Sequence, residues 1–153
     1  MRASDVAGVP LDTFEPCACS PEVDPSSRGI RLAAPATMPV GEGSTFPVFG
    51  TYRVGARFLN RFHAMENEIV VVAIDAASHA PRAANLLRAG HEAVPARYEG
   101  SDRHLDRAVI TGWFNLDLFT WLEGLPRGPA RYRVFASVGD IVSNVVTVEL
   151  AEP

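Results

Sequence analysis

Apolar and polar residues alternate with a period of two over several short stretches of this chain, the spacing of half-buried strands rather than of long helices. From Arg131 to Val138, the residues Tyr132, Val134, Ala136 and Val138 alternate with Arg131, Arg133, Phe135 and Ser137. The first set therefore shares one face of a strand. A short turn and a closing strand, Ser143–Leu150, follow. Ala108–Leu118 is the strongest upstream run, with Phe114, Leu116 and Leu118 set against Asn115 and Asp117. Ile69–Ile74 is continuously apolar and rich in β-branched residues, which predicts a central strand buried on both faces. Gly29–Ala34 and Phe46–Val54 also read as strands, and Pro47 restricts the second to an edge or a strand start. Ala93–Tyr98 is weaker and is interrupted by Pro95.

Helical spacing is confined to two short stretches. Ala56–Glu66 places Phe58, Leu59 and Phe62 on one side of two or three turns. Pro81–Gly90 has proline where a first helical residue belongs and glycine where a C-terminal cap belongs, and it reads equally as a loop crossing between sheets. Residues 1–28 are rich in Pro, Ser, Asp and Glu, lack periodicity, and read as a flexible N-terminal arm able to order on a partner. The organisation predicted is that arm followed by one domain over 29–153, an all-β sandwich of about seven strands. Its core is predicted to contain Val71, Ile74, Phe114, Leu116, Leu118, Leu125, Tyr132, Val134, Ala136, Val146 and Val148.

Composition narrows the function classes. All 14 basic residues are arginine, so a lysine Schiff base and a P-loop lysine are excluded. A bias in genome composition accounts for this usage. The formal charge is −4, which argues against a broad nucleic-acid surface. No apolar run approaches the roughly 20 residues of a membrane span, and the first ten residues carry no apolar signal core. Taken as written, the chain is expected in the cytoplasm, unless a leader has been trimmed.

The stretch Leu122-Glu-Gly-Leu-Pro-Arg-Gly-Pro-Ala-Arg-Tyr-Arg-Val-Phe-Ala-Ser137 resembles the E–F corner and F strand of fibronectin type III and related immunoglobulin-like modules. There a leucine before a Pro/Gly turn plugs the core, and a tyrosine opens the next strand and bonds back to the corner. Leu125, Tyr132, Val134 and Ala136 match those roles, and Ser143–Leu150 resembles the closing G strand of many bacterial members. The resemblance covers the C-terminal third. It implies an immunoglobulin-like sandwich and a binding, adhesion or spacing role, and a hydrogen-bonded Tyr132 hydroxyl. Val134 stands where antibody domains place a cysteine, and no tryptophan stands on the early strands.

Candidate chemistry is sparse. Asp102, His104 and Asp106 would share one face of a strand and could hold copper or zinc; the other reading is a solvated loop beside Arg103 and Arg107. His63-Ala-Met-Glu66 offers a second imidazole with a soft neighbour. Cys17 and Cys19 are too close for an unstrained disulfide, which leaves reduced thiols, bonds between chains, or an incomplete soft-metal pair. No nucleophile elbow is present, and Asp117 and Glu123 beside Trp121 read as an exposed strand face. Arg53, Arg57 and Arg61 recur every four residues and read as a solvated face.

Strand parity supplies the remaining clue. Trp113 and Phe119 fall opposite Phe114, Leu116 and Leu118, with Trp121 near the strand end. Large apolar groups on that second face imply either a contact surface, with Arg131 and Arg133 as polar neighbours, or a cover of loop or arm. The function expected is a non-catalytic protein-interaction or assembly module acting through a sandwich surface, with a protein partner or self-association and no cofactor. A small copper- or zinc-binding protein is the alternative.

Overall fold

The computed structural model describes residues 1–55, 68–86 and 109–152. Nine strands among them run in chain order: β1 (Gly29–Ala33), β2 (Thr37–Pro39), β3 (Pro47–Gly55), β4 (Val70–Asp75), β5 (Pro81–Asn85), β6 (Val109–Asp117), β7 (Ala130–Val138), β8 (Ile141–Val142) and β9 (Val146–Ala151). A four-residue helix, α1 (Leu118–Trp121), follows β6, and a single 3-10 turn (Ala3–Val6) lies in the arm. The protein is an all-β sandwich. Its small sheet has the order β1-β3-β6, and its large sheet the order β2-β9-β7-β4-β5 with β8 added beside β7.

Pairing is antiparallel except between β2 and β9. The chain leaves the small sheet after Ala33 and enters the large one at Thr37, so β1 and β2 clamp both layers at one end. Asn144 adds a second clamp. Its side-chain amide accepts from Leu32 N at 2.8 Å and donates to Leu32 O at 3.0 Å, which satisfies a backbone unit of β1 from the β8–β9 turn.

The inner faces follow the alternation read from the sequence. Tyr132, Val134, Ala136 and Val138 of β7 are buried, while Arg131 and Arg133 are exposed. Phe114, Leu116, Leu118, Leu125 and Val148 are buried as predicted. Ile74 is half-buried, because it stands opposite Arg133 on the outer face of the large sheet. Val146 packs against the core from its margin without full burial.

Two further expectations are corrected. Pro81–Asn85 is strand β5, not the start of a helix, since its backbone pairs with β4 from Val70 to Ile74. The tight β4–β5 turn imposes this: the Asp75 carboxylate accepts from Ala77 N and Ser78 N, and His79 takes a positive φ of 58°. Those two amides, Ser78's first, hold the Asp75 carboxyl below the usual carboxylate range. The strand buried on both faces is β3 rather than β4, which alternates between buried and half-buried residues. Pro47 opens β3, as a strand start allows. The predicted helix 56–66 and the weak strand 93–98 lie outside the described residues.

Glycines account for the inner packing of the small sheet. Gly50 stands opposite Phe114, and Gly112 opposite Tyr52. A Cβ added at Gly50 would collide with the Phe114 ring, and one at Gly112 with the Tyr52 ring. The far end of each aromatic side chain occupies the space where a Cβ would stand, a close approach only glycine allows. The Tyr132 hydroxyl departs from the corner arrangement. It is buried with no hydrogen-bond partner among the described residues, and burial raises its pKa, with the Asp75 carboxylate adding to the effect. Tyr132 instead packs its ring on Phe46 at a centroid distance of 5.8 Å. Two substitutions separate these claims in urea denaturation. Gly50→Ala should destabilise by about 1–3 kcal/mol or more through overpacking, whereas Tyr132→Phe should change stability by less than about 0.5 kcal/mol.

Candidate functional site

The N-terminal arm lies along the free edge of β6 and over the outer face of the small sheet. Thr13 and Asn115 form an isolated antiparallel bridge, with Thr13 N donating to Asn115 O at 3.2 Å and Asn115 N to Thr13 O at 2.9 Å. The Asn115 side chain repeats the grip. Its Nδ2 donates to Thr13 Oγ1 at 3.0 Å and to Glu15 O at 2.9 Å, and its Oδ1 accepts from the Cys17 thiol at 3.5 Å. Asn115 is 2% exposed, so a buried polar side chain is satisfied almost wholly by the arm.

Asp12 and Asp117 extend this contact. Asp12 Oδ1 accepts from Asp117 N at 3.0 Å and from the indole Nε1 of Trp121 at 2.6 Å. Asp117 Oδ1 accepts from Phe46 N and caps α1 through Phe119 N, while its Oδ2 accepts from Thr120 Oγ1. Asp117 is therefore buried, not part of an exposed strand face; Glu123 is exposed. Phe14 of the arm meets Trp121 edge to face at 6.4 Å.

Sequence parity is right for Trp113 and fails for Phe119 and Trp121. Trp113 points away from Phe114 and is half-buried on the outer face. Residues 118–121 are helical, so the period of two ends at Asp117. Phe119 packs edge-on against Phe46 at 5.7 Å and carries the Arg127 guanidinium 4.7 Å above its ring. Arg131 and Arg133 do not neighbour these aromatics. They stand on the outer face of the other sheet, where a shallow hollow is lined by Ala76, His79, Arg131, Arg133 and Thr147. Neither arginine forms an ion pair among the described residues.

Between arm and sheet runs a groove of about 530 Å³. Thr51 and Arg53 of β3 and Thr111 and Trp113 of β6 line it, paired across the strands as Thr51–Trp113 and Arg53–Thr111. Pro16, Cys17, Ser20, Pro21, Glu22, Val23 and Pro25 of the arm line it as well. The Thr51 hydroxyl and the Arg53 Nε are buried without a hydrogen-bond partner among the described residues.

Asp102, His104, Asp106, His63, Arg57 and Arg61 lie outside the described residues. Among the described residues, no three histidine, cysteine, aspartate or glutamate side chains gather as a metal site. Cys17 and Cys19 are free thiols; Cys19 is buried and its pKa is raised, first by burial and then by Cys17 beside it. No helix among the described residues is long and apolar enough to cross a membrane. No family model, curated protein or solved structure matches the chain.

Sequence reading missed Asp12, Thr13, Thr51 and Asn115. Asn115 and Asp117 carried a usable signal: polar residues on the same parity as Trp113 in an otherwise apolar strand need partners once covered. Asp12→Ala removes the acceptor of both Trp121 Nε1 and Asp117 N. It should lower stability by about 1 kcal/mol and shift tryptophan emission to longer wavelength, read by thermal denaturation and fluorescence.

Proposed function

We propose that this chain is a non-catalytic interaction module of the immunoglobulin-like kind, and that it self-associates through the outer face of its large sheet. The immunoglobulin-like reading is supported by strand order. β1-β3-β6 corresponds to A-B-E, and β9-β7-β4 to G-F-C, with Tyr132 opening β7 where the F-strand tyrosine belongs.

One observation carries the choice of surface. Val70, Val72 and Ile74 of β4 and Phe135 of β7 are half-buried on one face, and Val142 of β8, on the same face beside Ser137, is 61% exposed. Val72 and Phe135 are direct cross-strand partners. Half-buried apolar side chains side by side on an outer sheet face, with Val142 in solvent at their margin, are the kind of surface that a second copy would cover. Arg131, Arg133 and Glu149 rim it, all exposed, with Arg131 opposite Glu149 on the neighbouring strand. An apolar centre rimmed by both charge signs is self-complementary under a two-fold axis, since arginines of one copy can meet the glutamate of the other.

Sedimentation velocity of the full chain should give a dimer at concentrations up to about 0.5 mM. Val142→Asp should shift it to monomer, with a thermal midpoint equal to that of wild type when both are measured at a dilution where wild type is itself monomeric, because the side chain lies on the monomer's surface. A wild-type monomer throughout that range, or a dimer indifferent to both Val142→Asp and Phe135→Ser, would overturn the reading.

A further inference from the structure

We propose that the groove beneath the N-terminal arm binds a small planar carboxylate carrying an aromatic or flat apolar body. The site is on the opposite sheet from the self-association surface and does not depend on it. Thr51 is 4% exposed, yet its hydroxyl has no partner among the described residues, and the Arg53 Nε, two residues along the strand, is likewise buried and unpaired among them. Buried polar groups in folded proteins are almost always bonded, so two orphans on residues that line one groove mark a place for a ligand's polar end. Both side chains lie on one face of β3, two residues and about 6.7 Å apart. The Nε and an adjacent Nη of a guanidinium present two parallel N–H groups, the geometry that a planar carboxylate accepts. Thr51 and Thr111 add a hydroxyl on either side of that fork, one along β3 and one across on β6.

The rest of the groove selects the ligand's body. Trp113, the cross-strand partner of Thr51, offers an indole face, and Pro16, Pro21 and Pro25 bring rigid apolar rings. The volume of about 530 Å³ suits a molecule of two fused rings or slightly more. Charge favours one negative charge over two. Among the described residues Arg53 is the one cation lining the groove, Glu22 lines it too, and Asp24 lies close enough to Arg53 to be influenced by it. Of the described side chains, a phosphate dianion would meet one guanidinium against those two carboxylates.

Isothermal titration calorimetry of the full chain tests this with three probes: indole-3-acetate, tryptamine and phenyl phosphate. Indole-3-acetate should bind saturably with a Kd no weaker than about 1 mM, and tryptamine, with the same ring but an ammonium, at least about tenfold more weakly. Arg53→Gln should weaken indole-3-acetate by about tenfold or more, as expected for a charged hydrogen-bonding partner. Thr51→Val, close to isosteric, should weaken it about fivefold while leaving the thermal midpoint of the free protein equal or higher, because it removes an unpaired buried hydroxyl. Absence of saturable indole-3-acetate binding, tighter binding of tryptamine or phenyl phosphate, or unaltered affinity in Thr51→Val would overturn the proposal.

Discussion

The structure depends on covering the outer face of a three-stranded sheet. β3 lies between β1 and β6 and is buried on both sides, with Phe49 fully buried on the face opposite Tyr52 and Val54. One layer of a sandwich needs only one apolar face, so a second one requires its own cover. The arm is fastened there through Asn115, whose backbone and side chain together make five hydrogen bonds to residues 13–17. Asp12 adds the grip on Trp121 and on the amide of Asp117. Because β6 is an edge strand, losing the arm would open these groups to water, so the arm contributes the net gain of its hydrogen bonds over hydration together with the apolar area it covers.

The same constraint organises both candidate surfaces. With the small sheet covered by the arm, the groove is confined between arm and sheet, and the buried polar atoms of Thr51 and Arg53 are ones to which the arm supplies no hydrogen bond. The large sheet carries its half-buried apolar face elsewhere, on β4 and β7, and leaves Val142 in solvent. Trp113 thus belongs to a groove between arm and sheet, and Arg131 and Arg133 to the outer face of the other sheet, two environments with different chemistry.

Much of the architecture was legible in the sequence because period-two patterns report which face of a strand is buried. Tyr132 to Val138 and Phe114 to Leu116 were readable for that reason. Ile69–Ile74 misled because three half-buried apolar residues on an outer face look identical to core in a one-dimensional pattern. Phe119 and Trp121 misled because Asp117 ends the strand by capping a helical turn, a local hydrogen bond that periodicity does not register. Pro81 and Gly90 suggested a helix, but pairing with β4 outweighed local preference, as long-range pairing routinely does. The groove was beyond reach, since it joins residues 16–25 to residues 51–53 and 111–113, and nothing local in the chain announces that meeting.

Native-state hydrogen exchange at the amides of Asn115 and Asp117 tests the central role of the arm most directly. Both amides belong to a strand edge and are bonded only to the arm, to Thr13 O and to Asp12 Oδ1. If the arm is an integral layer of the fold, both should exchange as slowly as the amides at the centre of β3, through global unfolding. Exchange at the rate of an exposed loop, with β3 still protected, would show that the arm leaves the sheet without consequence and would contradict the account.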